Sequence, residues 1–97
     1  MADRVRLLLA QLHEDGDMHS AYSPIARLAS YQEIVQLGVD ALPELFEALK
    51  RGDTWFTFWL IHDIAHDGPQ IPPEDRGVVN RLVVHFLAWG KEKGYAS

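Results

Sequence analysis

Apolar side chains recur along this chain at intervals of three and four residues, and those intervals divide it into helices. Val5, Leu8, Leu9 and Leu12 form the first stripe, with Arg4, Arg6 and Gln11 turned outward. The pattern predicts an amphipathic helix from about Asp3, which is placed to cap it, to Glu14. Gly16 and Pro24 break the periodicity, and the stretch from Ser20 to Leu28 reads as an extended connection. In "ASYQEIVQLG" the helical spacing returns through Tyr31, Ile34, Val35 and Leu37. Ser30 and Glu33 stand at the capping-box distance, and Gly38 falls where a left-handed residue would end the helix.

"VDALPELFEALKRG" restarts at once. Asp40 is placed as an N-cap, and Pro43 lies in the first turn, where its missing N–H costs nothing. Leu42, Leu45, Phe46 and Leu49 form a stripe that stops at Gly52. Asp53 is expected to cap a further helix running to about Asp67, which "DGPQIPP" terminates. The last helix is expected from Pro73–Glu74 to Gly94. On it Val78, Val79, Leu82, Val83, Phe86, Leu87 and Trp89 cover about half the circumference at about 100° per residue, with His85 on the border. No strand-like alternation extends beyond a few residues. The expectation is a single all-α domain over residues 1–97 with four to five helices.

Composition adds limits. An apolar content of 47% and a charged content of 24% in 97 residues suit one small globular core. With no cysteine there is no disulfide, thiolate metal site or thiol nucleophile, which fits a cytoplasmic location. The start alternates charge with leucine, unlike a secretory signal. The apolar run Thr54 to Ile61 is too short to span a bilayer. A net charge of −5 without a basic stripe argues against nucleic acid and favours a protein partner with a basic surface.

Short helices joined by two- or three-residue turns make helical hairpins. The junction "LGVDALPELFEALKRGDTWFTFWLIHDIAHDG" carries a HEAT-like pattern: Gly end, Asp cap, Ala-x-Pro-x-Leu opening and polar turn. Together with "WFTFWLIHDIAHDGPQIPPEDRG" and "FLAWGKEKGY", the segment Ser30–Tyr95 resembles a group of small bacterial and phage-encoded HEAT-like proteins. The resemblance implies a HEAT-like helical-hairpin bundle or solenoid and a prokaryotic origin. It implies no catalytic residues, and Met1–Ala29 lies largely outside it.

Candidate chemistry concentrates in "WFTFWLIHDIAHDG". His62-Asp63-x-x-His66 departs from the zincin string only in having Asp for Glu. Two histidines at i and i+4 on a helix can ligate one zinc, with the intervening carboxylate as general base. His13, His19 and His85 are the available third ligands. The simpler reading makes Asp63 and Asp67 solvated charges and the histidines a surface pair at a helix end.

The aromatic residues offer a second reading. On a helical projection Trp55, Trp59, His62 and His66 fall within about 30° of one direction, with Phe58 beside them, while Phe56, Leu60, Ile61 and Ile64 complete a separate core face. Either both tryptophans are core, in a helix sandwiched between the Asp40–Lys50 helix and the last one, or the stripe is a docking patch. The functional expectation is a non-catalytic protein-binding module whose partner contacts are Trp55, Phe58, Trp59, His62 and His66. Its concrete form is a bacterial or phage accessory protein of antitoxin, immunity or inhibitor type, with no cofactor. A zinc-dependent hydrolase using His62 and His66 is the alternative, and a homodimer built on the same stripe is a third.

Overall fold

The computed structural model describes residues 2–16, 21–54 and 56–96, and every regular element among them is helical. The helices are α1 (Ala2–Gly16), α2 (Tyr22–Ala26), α3 (Ala29–Leu37), α4 (Leu42–Lys50), α5 (Thr57–Ala65) and α6 (Val79–Lys93). Single 3-10 turns lie at Gly38–Ala41 and Pro73–Asp75. The all-α expectation therefore holds. Five helices have nine residues or more, and the five-residue α2 is additional.

The core is assembled from the expected stripes. Val5, Leu8, Leu9 and Leu12 of α1 meet Tyr31 and Ile34 of α3, and Leu42, Leu45, Phe46 and Leu49 of α4 close over them with Leu60, Ile61 and Ile64 of α5. Burying each such side chain contributes about 1.5–3 kcal/mol, and that burial holds the short helices, which are too brief to persist alone. α1 packs on α3 and α4, and α5 packs on α3 and α4. The expected sandwiching of α5 by α6 is not observed. α6 makes its main contact with α4, and its link to α5 includes the ring pair Phe58–Phe86, centroids 4.8 Å apart. On its outer side α5 is met by α6 at Phe58, while His62 and His66 stay exposed.

Gly90 explains how α6 reaches α4. A Cβ at this position would lie 2.7–3.0 Å from three atoms of the Phe46 ring, which is itself fully buried. Only a glycine lets the helix approach that closely. Gly90→Ala gains up to about 1 kcal/mol of helix propensity but overpacks a ring that cannot move, at about 1–3 kcal/mol. The expected net loss is about 1–2 kcal/mol in a denaturant melt.

Several local expectations need correction. Ser20–Leu28 was expected to be extended, but Tyr22–Ala26 is helical. Pro24 sits in the first turn of α2, where no intrahelical donor is needed, and the fully buried Ile25 anchors it. The helix is entered from an extended Ala21 without a side-chain cap. Asp3 lies inside the first turn of α1, not ahead of it. The expected Ser30 cap is also absent. α3 is entered from an extended Leu28 without a side-chain cap, and Ser30 is buried with its Oγ unbonded.

Asp40 does not cap α4. It lies in the 3-10 turn, and the chain passes from that turn through Ala41 straight into α4, with Pro43 in the first turn as expected. Gly38 does carry a positive φ of 68°, which admits glycine far more easily than any side chain. Asp53 does not cap α5, whose N-cap is Phe56; instead its backbone carbonyl accepts a 2.7 Å bond from Thr57 Oγ1. The last helix starts six residues later than the Pro73 expected, at Val79, because Pro73–Asp75 forms a separate 3-10 turn. Val78 and Val79 are consequently exposed rather than part of a buried face.

Candidate functional site

The outer face of α5 is positioned by the inner one. Leu60, Ile61 and Ile64 fix the helix against α3 and α4, so residues on the opposite arc point away from the core. His62 and His66 lie there, and both are exposed. Half-buried aromatic rings flank them. On one side Phe58 packs on Phe86 of α6. On the other, Trp59 meets Tyr22 of α2 edge to face at 5.3 Å, and Phe56 at 6.4 Å. The candidates Phe58, Trp59, His62 and His66 thus share one surface. Trp55 lies outside the described residues.

Trp59 fits neither extreme expected of it. It is half-buried, packed against the core at Phe56 and covered on another side by Tyr22 of α2. The folding of Tyr22–Ala26 into a helix brings Tyr22 there, a placement the broken periodicity around Pro24 concealed.

Asp63 is the residue whose role changes most. The sequence pattern suggests a solvated charge, or the general base of a zinc site. Its Oδ2 instead accepts two hydrogen bonds, from Tyr31 Oη at 2.6 Å and Tyr22 Oη at 2.7 Å. Tyr31 is 1% exposed, so its hydroxyl has no water to turn to, and charge-assisted bonds of this kind are the stronger class. Burial, with the adjacent Asp63 carboxylate, pushes the Tyr31 phenol well above its ordinary range. The hydrogen bond to Asp63, with some burial, raises Tyr22 in the same direction. Three helices (α2, α3 and α5) are therefore tied at one carboxylate. No local motif announces this cluster, because its members are 41 and 32 residues apart.

The other histidines are held away from this face. His13 Nε2 lies 2.9 Å from both carboxylate oxygens of Asp53, and His85 Nε2 lies 2.9 Å from Asp75 Oδ2. His19 lies outside the described residues. Among the described residues no group of three or more His, Cys, Asp or Glu side chains is placed to hold a metal ion. His66 also stands one residue beyond the end of α5, as its left-handed C-cap with φ 62°. The i, i+4 face on which a zincin pair depends is thus lost at its second member.

That backbone strain gives a prediction. A side chain in the left-handed region costs about 1–2 kcal/mol, which glycine avoids at some cost in unfolded-state entropy. His66→Gly should raise stability by about 0.5–1 kcal/mol, read as a higher melting temperature.

A second unforeseen cluster centres on Glu44, whose carboxylate is buried in the first turn of α4. Arg6 Nε reaches it at 2.7 Å and Arg51 Nη1 at 3.5 Å. The same carboxylate raises the Arg6 pKa, chiefly through that hydrogen bond. The outward-facing Arg6 of the helical projection thus crosses to α4, tying α1 to the first turn of that helix. Nothing in the spacing of charges signals that reach.

Among the described residues no helix is long and apolar enough to cross a membrane. No protein-family model matches the chain, and comparison with curated proteins and with solved structures finds no similar protein.

Proposed function

We propose that this chain is a non-catalytic protein-binding module that docks a partner through the outer face of α5. The observation that supports the reading is the division of labour along that helix. Its one central carboxylate is committed to two tyrosine hydroxyls, while His62 and His66 stand exposed between half-buried aromatic rings. Aromatic groups that are held in place yet still accessible are the usual anchors of protein interfaces. A hydrolytic use of His62-Asp63-x-x-His66 would first have to release Asp63 from Tyr31.

The acidic balance of the chain, −5, suits a partner with a basic surface. Helices packed as successive hairpins, as in HEAT-like proteins, would present such a face as an uncovered side of the stack. A bacterial or phage accessory protein of antitoxin, immunity or inhibitor type, masking a surface of its target, is the concrete form of the proposal.

The test uses exposed positions, where folding is not at stake. A partner isolated from the native host and purified is titrated with wild-type protein, with His62→Lys and with His66→Lys. The expected result is at least a tenfold loss of affinity for His62→Lys, about 1.4 kcal/mol, because an ammonium at the contact repels a basic surface, with an unchanged melt. Undiminished binding by both variants would overturn the reading. So would stoichiometric zinc in untagged protein together with a hydrolytic activity that the paired His62→Ala and His66→Ala substitutions remove.

A further inference from the structure

Two Asp-Gly dipeptides occur in the chain, Asp15-Gly16 and Asp67-Gly68, and the fold treats them in opposite ways. Aspartate ahead of glycine is the pair most open to attack by the main chain on its own side chain, because glycine has no Cβ to shield its nitrogen. The attack needs a backbone free to rotate, an amide not engaged in a hydrogen bond, and solvent around both groups.

Asp15-Gly16 is locked. Both residues lie in α1, where each amide is turned along the axis toward the carbonyl four residues back. Asp15 Oδ1 accepts a 3.0 Å bond from Gln11 Nε2 one turn earlier. Gly16 is buried, so close to Phe56 that a Cβ would lie 2.9 Å from its ring.

Asp67-Gly68 is open. It follows His66, the left-handed cap of α5, in a stretch without regular structure that extends to Pro72. Both residues are exposed. Among the described residues Asp67 has no hydrogen-bond or ion-pair partner, and the Gly68 N–H has no acceptor. Pro69 disfavours helical backbone at Gly68, and a Cβ built on Gly68 would meet nothing within 4 Å. No other aspartate precedes glycine, and the one asparagine, Asn80, lies in α6 ahead of arginine.

We infer that Asp67-Gly68 is a self-modification site, where the chain isomerises to an isoaspartyl linkage through a cyclic succinimide. The Gly68 nitrogen attacks Cγ of the protonated Asp67 carboxyl. A C–N bond forms, the amide proton and the carboxyl hydroxyl are lost, and one water departs. Water then opens the ring. Cleavage between the nitrogen and the former side-chain carbon restores aspartate. Cleavage at the former main-chain carbonyl leaves the chain running through Cβ, with a free carboxylate on Cα. Water is the only co-reactant, and mass is unchanged. One extra methylene thus enters the backbone directly after the His66 cap, at the end of the helix whose exposed face carries His62. A carboxyl methyltransferase that reads isoaspartyl linkages is the class of enzyme that would act on the product.

The test is incubation of the purified full-length protein for several weeks at physiological temperature, beside a sample unfolded in guanidinium chloride. Isoaspartate is quantified by enzymatic methylation with an isoaspartyl methyltransferase. Its position is read by electron-transfer mass spectrometry, which cleaves the Cα–Cβ bond that the linkage places in the main chain. In folded protein it should accumulate at Asp67 at least about tenfold faster than at Asp15, where local opening must come first. In the unfolded sample that preference should collapse. Gly68→Ala, for which there is open space, should slow the reaction severalfold by shielding the nitrogen, and Asp67→Glu should remove it. Equal rates at the two positions in folded protein would overturn the inference. So would an unmodified Asp67 in the folded chain once the unfolded chain has reacted, a preference that persists undiminished on unfolding, or accumulation untouched by Gly68→Ala.

Discussion

Phe46→Ala should remove about 3–5 kcal/mol of stability, the range expected when a large buried aromatic is truncated. Phe46 is fully buried at the centre of the molecule. Its ring meets Trp89 at 6.3 Å, and its edge is the surface on which Gly90 is seated. The cavity left by alanine would open between α4 and α6, whose main contact is with α4. The loss should therefore be unevenly distributed. Amide exchange should quicken first across Val79–Lys93, ahead of α1 and α3. A global destabilisation without early loosening of α6 would contradict the account of how that helix is held.

Asp63→Ala should cost about 2–4 kcal/mol, although the side chain is partly accessible. The substitution removes little apolar contact. It leaves the Tyr31 hydroxyl buried without an acceptor, about 1–3 kcal/mol, and deletes a second charge-assisted bond, to Tyr22. Asp63→Asn keeps an oxygen acceptor and should lose clearly less, about 1 kcal/mol. The same cluster sets a pH dependence. Free tyrosine ionises near 10.0, whereas burial and Asp63 hold Tyr31 neutral in the folded protein well above that. A raised folded pKa means the unfolded chain releases protons first. Stability is fully present below about pH 10 and falls as pH rises further. In Tyr31→Phe the alkaline slope should flatten, while stability at neutral pH drops by about 1 kcal/mol for the lost hydrogen bond. An unchanged slope would mean that Tyr31 is not the group responsible.

Much of this architecture could be read from apolar spacing. The stripes of α1, α4 and α5 are the core, and Pro43 and Gly38 stand where turn chemistry places them. Cap assignments fared worse at Asp3, Ser30, Asp40 and Asp53, because helix entry is decided by the neighbouring elements as well as by local spacing. A helix that follows directly on another turn has less need of a side-chain cap. α4 follows directly on a 3-10 turn, and Asp53 is engaged by His13. Ser30 is carried into the interior by burial of its neighbour Tyr31.

The candidate surface was half legible. Helical projection placed Phe58, Trp59 and His62 on the side of α5 away from its buried face, because that placement depends on spacing alone. It could not supply the hydroxyls on Asp63 or the cover that Tyr22 gives Trp59. Both depend on a short helix nucleated around Ile25 and on contacts between residues far apart in the chain. Helical continuity past Ala65 was likewise assumed for His66, whereas the Asp67-Gly68-Pro69 turn draws that residue into a left-handed cap.

The most direct measurement of the docking claim is hydrogen exchange on the complex of this protein with its purified partner, compared with the free protein. The account predicts new protection concentrated on Thr57–His66 and the Asp67–Gln70 turn that follows, with the exposed faces of α1 and α3 unchanged. Protection confined to α1 or α3, with the α5 face exchanging as it does in the free protein, would contradict it.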